Sequence, residues 1–266
     1  MPFFTSNGAN VHIDVAGNGT PVLFVHGLTL DHRQWTPQRE ALVEKHRVLR
    51  LDVRGHGRSA SATQGHSWDR LAEDVQRAMV QGGMQRLQPG FLVGHSLSAD
   101  AVLQCALAEP RLLKGVVVAA PAVWGMTFSD SWKSMFEQMR ALAHDGRVDA
   151  ALDVFRADEI FSGVRANAEV DASVRAMQAG FSGDLLRSDE HPKGVSTLER
   201  LGECKVPVLV IRTQNDRQDF KVAAGEIAAR ASRAYVVEID GVGHFPNLEA
   251  PEAFNRALQD FFQEHE

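Results

Sequence analysis

Residues 91–100 read FLVGHSLSAD, and this stretch decides the fold prediction for the chain. Its apolar start is typical of a buried strand, and the residues from Leu97 onward favour a helix. Gly94-His95-Ser96 between them indicates the sharp strand-to-helix turn of the G-x-S-x-G motif, which presents one serine as a nucleophile. The last glycine of that motif is Ser98 here. The rest of the chain must therefore decide whether Ser96 is a catalytic residue or a small turn residue.

Outside this stretch, short apolar runs alternate with amphipathic segments. Strands are predicted at residues 22–25, 48–51, 91–93, 116–119, 208–211 and 235–239, with an N-terminal hairpin around Asn7-Gly8. Helices are predicted at residues 37–45, 68–81, 97–108, 222–231 and 252–262. Continuously apolar strands that alternate with helices indicate an α/β fold with a mostly parallel sheet covered on both faces.

One long segment breaks this alternation. From the strand at 116–119 to the strand at 208–211 the chain shows only helical periodicity, as in WKSMFEQMRALA and VDAALDVFRA. We expect residues 122–203 to form a helical cap or lid over the carboxyl ends of the strands, where open α/β sheets place their sites. The core domain would then consist of residues 1–121 and 204–266.

Composition excludes several classes of protein. The net charge is −6, from 28 Lys and Arg against 34 Asp and Glu, and no dense basic run occurs, which argues against nucleic acid or anionic membranes as partners. The two cysteines, Cys105 and Cys204, are too few for a disulfide framework and are not spaced as metal ligands. The N-terminus lacks a signal-peptide pattern, and no run approaches the roughly 18 apolar residues of a membrane span. We expect a cytoplasmic protein.

A catalytic serine needs a base and an acid at the same edge of the sheet. His244 follows the last predicted strand in the loop GVGHF, whose glycines permit a tight turn. Asp216 lies in the loop after the strand at 208–211, and the chain order Ser…Asp…His makes it the expected acid. Asp219 in the same loop is the second candidate. Asp240 adjoins the histidine loop but would have to turn back on itself.

The attack of a serine on a carbonyl also requires two N–H donors for the oxyanion. One is predicted at Leu97, directly after Ser96 and at the start of a helix. The other is predicted at Leu28, in the loop His26-Gly27-Leu28, where the glycine lets the backbone approach closely. His26 itself is expected to orient this loop rather than to act as the base.

Taken together, these motifs resemble the α/β-hydrolase superfamily along residues 10–263. The resemblance rests on His26-Gly27, Trp35, DVRGHGRS at 52–59, GHSLS at 94–98, Asp216 and GHFPNLE at 243–249. It implies an eight-stranded, mostly parallel sheet with helices on both faces and a helical cap. It assigns Arg54 and Ser59 to loop structure rather than to chemistry. Two positions depart from the family pattern, because Ser98 and Thr213 stand where glycines are usual.

Within the superfamily, the chain looks most like carboxylic ester hydrolases, enol-lactonases and C–C bond hydrolases of small molecules. Position 96 is a serine, whereas haloalkane dehalogenases and epoxide hydrolases of this fold use aspartate there, so acyl transfer is the expected chemistry. The resemblance implies that Ser96, Asp216 and His244 hydrolyse a small ester or lactone with water, without a metal or organic cofactor. The alternatives are a C–C hydrolase acting on a ring-fission dienoate, a cofactor-free perhydrolase, and a non-catalytic ligand receptor.

The helical segment also supplies candidates for substrate binding. Its large apolar side chains are Trp124, Met126, Phe128, Trp132, Met135, Phe136, Met139, Phe155, Phe161, Met177 and Phe181. We expect some of them to line an apolar pocket, and the selected candidates are Trp124, Phe128 and Met135. Packing of the helices onto one another would use the same residues. Its basic side chains could bind a substrate carboxylate, and the candidates are Arg140, Arg156, Arg165 and Arg175.

Overall fold

The computed structural model describes residues 2–59 and 65–266. The strands are β1 (Phe3–Ser6), β2 (Ala9–Ala16), β3 (Thr20–Val25), β4 (His46–Leu51), β5 (Gly90–His95), β6 (Leu113–Ala119), β7 (Val208–Thr213) and β8 (Ala234–Ile239). The α-helices are α1 (Thr36–Leu42), α2 (Trp68–Gln81), α3 (Ser98–Ala108), α4 (Asp130–His144), α5 (Val148–Ala157), α6 (Ser162–Ala166), α7 (Ala168–Gln178), α8 (Asp184–Arg187), α9 (Thr197–Arg200), α10 (Gln218–Arg230), α11 (Pro246–Glu249) and α12 (Pro251–His265). Short 3₁₀ turns cover His32–Trp35, Pro110–Leu112, Glu159–Phe161 and Leu201–Glu203.

The eight strands form one sheet in the order β1-β2-β4-β3-β5-β6-β7-β8. The pairs β1–β2 and β2–β4 are antiparallel, and every pair from β4–β3 to β7–β8 is parallel. The N-terminal hairpin turns at Asn7 and Gly8, which both have a positive φ. The α/β prediction, with its mostly parallel sheet of eight strands, is confirmed.

Helices cover both faces of this sheet, and successive side chains of each strand pack alternately on the two helical layers. Leu23 and Val25 of β3 pack in a core with α2, α3 and α10, whereas Val22 and Phe24 pack on the opposite face with α1 and α12. Successive side chains of a strand point to opposite faces, so a strand buried on both sides must be apolar throughout. The continuous apolar runs in the sequence have this cause.

Residues between β6 and β7 contain helices α4 to α9 and no strand in the described structure. Their apolar side chains form a third cluster, which also includes Leu28, Phe220 and Phe245 from the loops and helices around the sheet edge. The helical content of this segment therefore agrees with the sequence pattern. Its division from the sheet as a separate cap of residues 122–203 stays a proposal.

Within the described residues, no helix has both the length and the apolarity needed to cross a membrane. Cys105 and Cys204 are both buried and carry free thiols.

Candidate active site

Ser96 lies at the turn between β5 and α3, in a backbone conformation that side chains rarely adopt. Its φ is +52°, in the left-handed region, which costs a non-glycine residue free energy and persists only where the surroundings enforce it. The Ser96 N–H donates to the Ala119 carbonyl at 3.0 Å. The Ser96 carbonyl accepts from the N–H groups of Ala99 and Ala122, each at 3.0 Å. These bonds from α3 and from the chain beyond β6 hold the serine at the carboxyl edge of the sheet.

The structure brings Ser96, His244 and Asp216 into one hydrogen-bonded chain. The His244 Nε2 lies 3.0 Å from the Ser96 Oγ, and the His244 Nδ1 lies 2.9 and 3.0 Å from the two carboxylate oxygens of Asp216. A carboxylate only accepts hydrogen bonds, so the imidazole carries its proton on Nδ1 and its Nε2 accepts from the serine hydroxyl. This arrangement can remove the proton of the serine hydroxyl. The catalytic roles of the three residues stay a prediction.

The second candidate for the acid, Asp219, faces the helical segment and not His244. Its carboxylate accepts from the Ser129 N–H at 2.5 Å, the Ser129 hydroxyl at 3.0 Å and the Arg217 Nε–H at 3.2 Å. Burial would raise the pKa of Asp219, but these hydrogen bonds hold it below its usual value. Asp219 therefore anchors the start of α4, and the same loop presents Asp216 to the histidine.

Arg217 extends this anchoring. Its backbone N–H donates to the Asp216 Oδ1 at 2.8 Å, while its guanidinium reaches Asp158 at 2.7 Å and the Ser131 hydroxyl at 2.7 Å. The guanidinium also lies 5.5 Å from the centroid of the Trp132 ring. The loop that carries the acid is thus tied directly to α4 and to the end of α5.

The backbone around His244 is held by two side chains whose roles the sequence did not reveal. The Glu249 carboxylate accepts from the Gly243 N–H at 2.8 Å and from the Phe245 N–H at 3.0 Å. The His95 Nε2–H donates to the His244 carbonyl at 2.7 Å. Burial, and then the neighbouring His244, keep the pKa of His95 well below its usual value, so the ring is neutral. Both contacts fix the position of the imidazole relative to Ser96.

The predicted oxyanion donors border the space next to Ser96. Leu28 and Leu97 both line the cavity that contains Ser96, and neither backbone N–H has an acceptor among the described residues. Gly27 allows the loop to approach this closely, because a Cβ there would lie 2.5 Å from the His95 Nδ1. The Gly27 N–H donates to the Gln34 Oε1 at 3.0 Å, which fixes the loop from its other side.

A cavity of about 480 Å³ opens at Ser96 between the sheet edge and the helical segment. Phe128 lines it, as the sequence predicts, but Trp124 and Met135 are not among its lining residues. The Trp124 backbone N–H instead donates to the buried carboxylate of Asp100 at 2.9 Å. Trp132, Phe136 and Phe155 of the same predicted set also line it, whereas Trp68 and Phe220 line it from outside the helical segment and were not predicted.

Comparison with known proteins decides the family. A model of the alpha/beta hydrolase family matches residues 22–257. The chain belongs to the alpha/beta hydrolase family. The mostly parallel sheet of eight strands is thus that of an α/β-hydrolase.

Relatives of this α/β-hydrolase match it over almost its whole length. It is 30% identical over 260 residues to a putative carbamate hydrolase RutD of a Caulobacter species, covering 94% of this chain and 93% of that protein. It is 25% identical over 268 residues to an (E)-2-((N-methylformamido)methylene)succinate hydrolase of Acinetobacter baylyi, covering 97% and 96%. A thermophilic esterase from Thermogutta terrifontis superposes with a TM-score of 0.81 at 24% identity, covering 100% of this chain and 98% of that one, which shows the fold. The chain is a hydrolase enzyme.

Ser98, which replaces the usual glycine of the α/β-hydrolase turn, has a defined contact. Its side chain is fully buried, and its hydroxyl donates to the His26 carbonyl, two residues before Leu28. The helix that follows the serine is thereby bonded to the loop that carries the other predicted oxyanion donor. Thr213, the second departure from the family pattern, is also buried, but its hydroxyl has no partner in the described structure.

In the described part of this α/β-hydrolase, one set of side chains has the geometry to hold a metal, namely His12, His32 and Asp52. The Nδ1 atoms of the two histidines lie 2.9 and 2.8 Å from the Asp52 carboxylate. The same carboxylate accepts from the backbone N–H groups of His32 at 2.6 Å and Arg58 at 3.0 Å. These four hydrogen bonds account for the buried charge, so the cluster is explained as a structural support for the loop at 52–59.

Proposed function

We propose that this chain hydrolyses a small-molecule carboxylic ester or lactone through an acyl-enzyme on Ser96. The observation that carries the proposal is the hydrogen-bonded chain from Ser96 through His244 to Asp216, beside two N–H groups that have no acceptor in the described structure. A serine becomes a nucleophile when a base takes its proton and a third group orients that base. The cavity at Ser96 supplies the space for a substrate.

The reaction uses these groups in two stages. In the first, the His244 Nε2 takes the proton from the Ser96 Oγ, which attacks the substrate carbonyl. The N–H groups of Leu28 and Leu97 stabilise the oxyanion, and His244 then protonates the leaving alcohol. In the second, His244 activates a water molecule, which hydrolyses the acyl-enzyme and restores the free serine. Asp216 keeps the Nδ1–H tautomer throughout.

The cap assignment supports the same scheme. Residues 122–203 would close the cavity over Ser96, since Phe128, Trp132 and Phe155 of this segment line it. Arg217 and Asp219 bond this segment to the loop of the acid. The cap thus shapes the substrate site and excludes bulk water from the acyl-enzyme.

A C–C hydrolase acting on a ring-fission dienoate is the second candidate, because it would use the same three residues. Such a substrate carries a carboxylate, and the predicted cations for it are engaged elsewhere. Arg156 pairs with Asp153, and Arg165 donates to the Asp158 carbonyl. Arg175 pairs with Asp171. Arg140 lines the cavity but pairs with Asp189, so the uncharged ester or lactone is favoured.

The test is turnover of p-nitrophenyl acetate and butyrate, a γ-lactone and a ring-fission dienoate, with Ser96→Ala as the blank. We expect ester or lactone turnover by the wild type, none above the rate in buffer alone for Ser96→Ala, and an acyl adduct on Ser96 of the wild type during turnover. Dienoate cleavage without ester or lactone turnover would instead establish the C–C hydrolase. Tight binding of ligands without any turnover would establish a receptor. Production of peracid only when hydrogen peroxide replaces water would establish a perhydrolase.

A further inference from the structure

The inner wall of the cavity at Ser96 is a continuous group of aromatic rings that begins at the base. The Phe220 ring centroid lies 4.3 Å from that of His244. Trp132 meets Phe220 edge to face at 5.1 Å, and Phe128 stacks on Trp132 at 5.6 Å with an angle of 13° between the planes. Phe155 closes the group against Trp132 at 6.2 Å. All four aromatic side chains of this group line the cavity.

The polarity of the cavity changes along α4. Trp132, Phe136 and Arg140 are spaced by one helical turn and line the cavity from its aromatic end outward. The axial distance from Trp132 to Arg140 is about 12 Å at 1.5 Å per residue. The exposed residues 189–191 lie beside Arg140 at the outer end. The cavity is therefore apolar near Ser96 and polar at its mouth.

Every lysine and arginine that borders the cavity is already paired with a carboxylate. The buried Arg54 makes two bonds of 2.7 Å to Asp74. At the mouth, Arg140 bonds the Asp189 carboxylate at 2.5 Å and the Ser188 carbonyl at 2.6 Å. Lys133 is half exposed and lies 3.4 Å from Asp130.

Residues 60–64, which lie outside the described structure, are Ala-Ser-Ala-Thr-Gln and carry no charge. A substrate carboxylate near Ser96 would thus lose its hydration without gaining a cationic partner from any lysine or arginine on the cavity wall. Burial of an unpaired carboxylate is strongly unfavourable.

We propose that this site selects an uncharged ester with an aromatic ring one or two bonds from the scissile ester group, an inference that rests on the ester or lactone hydrolysis proposed above. The Ser96 Oγ lies 3.0 Å from the His244 Nε2, and Phe220 packs against the same imidazole. A ring attached close to the carbonyl carbon or to the alkyl oxygen would meet Phe220 and Trp132. Edge-to-face aromatic contacts add to the burial of apolar area, so a ring gains more here than an alkyl chain.

The test compares four esters with the same number of carbon atoms: methyl phenylacetate, benzyl acetate, methyl octanoate and the carboxylate monomethyl suberate. Acid release by the wild type gives kcat/KM for each, with Ser96→Ala as the blank. We expect one of the two ring esters to exceed methyl octanoate about tenfold and monomethyl suberate to fall about 100-fold or more below it. Equal or faster turnover of methyl octanoate than of both ring esters would overturn the aromatic selection. Turnover of monomethyl suberate as fast as methyl octanoate would overturn the exclusion of charge.

The two proposals fail differently. If the wild type turns over these esters and p-nitrophenyl acetate but shows neither preference, only the selectivity inference is overturned. If none of them is turned over above the blank, both are overturned.

Two variants connect the selectivity to the cavity wall. Trp132→Leu should lower the ratio of ring-ester to octanoate kcat/KM about threefold or more, and a ratio is insensitive to losses of folded enzyme. Phe136→Lys places a cation on the lining face of α4 and should raise kcat/KM for monomethyl suberate about tenfold. The matched control is Gln138→Lys, which adds the same charge at an exposed position of α4 outside the cavity lining. An equal gain in the control, or an unchanged ring preference in Trp132→Leu, would contradict the inference.

Discussion

The hydroxyl of Ser98 offers the sharpest test of how the oxyanion loop is held. Ser98→Ala removes the donor to the His26 carbonyl but keeps the Cβ, so the close packing of α3 on β5 is retained. The loss of one buried hydrogen bond, which leaves a carbonyl without this donor, costs about 1 to 2 kcal/mol. His26 precedes Leu28 by two residues, so this cost falls on the segment that carries the predicted N–H donor. Full loss of one oxyanion donor would lower kcat about 10²- to 10³-fold, which sets the upper limit.

We therefore expect Ser98→Ala to lower kcat about 5- to 30-fold, since about 1.4 kcal/mol corresponds to tenfold. KM should stay within about twofold, because the bond supports the transition state more than substrate binding. The assay is the hydrolysis of p-nitrophenyl butyrate. A trifluoromethyl ketone forms an oxyanion on the serine, so the affinity for this inhibitor should fall in parallel with kcat. The matched control is Thr213→Ala, which removes a buried hydroxyl that has no partner in the described structure. An unchanged kcat and ketone affinity in Ser98→Ala would refute the reasoning.

Three further substitutions test other contacts of the site. Asp216→Asn should lower kcat about 10⁴-fold because its amide NH₂ can donate to the Nδ1 and hold the imidazole in the wrong tautomer, and Asp219→Asn should lower kcat far less. Equal losses of ester turnover in the two variants would contradict the assignment of the acid. Glu249→Gln leaves the N–H of either Gly243 or Phe245 facing an amide NH₂, so kcat should fall about tenfold. A kcat equal to that of the wild type would count against this contact. Burial raises the pKa of Asp100 from 3.8 to about 6 in the folded protein. The stabilisation from the protonated Asp100 is therefore full below pH 4 and is lost as the pH rises through 6. The free energy of unfolding of the wild type, measured in urea relative to that of Asp100→Asn, should therefore fall by up to about 3 kcal/mol between pH 4 and pH 8. A difference between the two proteins that stays constant with pH would contradict the raised pKa.

The sequence allowed the sheet and the positions of the reacting groups to be predicted because both depend on local patterns. Buried strands require apolar residues throughout, and a strand that ends in a glycine-rich turn places the next side chain at the sheet edge. Ser96 and His244 each lie in such a turn, Asp216 follows β7 in a loop without glycine, and the structure brings the three within hydrogen-bonding distance. Strand order along the chain and local turn chemistry were sufficient for this step.

The rest of the site depends on contacts between distant residues. Helical periodicity identifies α4 but does not say which of its faces meets the cavity, so the sequence could not separate Met135, which does not line the cavity, from Trp132 and Phe136, which do. The Ser98 hydroxyl bonds a carbonyl 72 residues earlier, and no local pattern marks such a partner. Phe220 lies in α10, beyond the acid loop, and reaches His244 only because the sheet returns the chain to the same edge. These contacts follow from tertiary packing.

The bonds made by Arg217 have a consequence for engineering. Asp216 and Arg217 are neighbours in the chain, yet one faces the histidine and the other bonds Asp158 and Ser131 of the helical segment. A chimera that exchanges residues 122–203 for the corresponding segment of a relative would leave this guanidinium, only 10% exposed, without Asp158 and with Asp219 as its remaining carboxylate partner. The transplanted segment would then disturb the acid through its nearest neighbour. A workable exchange must carry the loop at 216–219 together with the helices, so the unit of recombination is discontinuous in sequence.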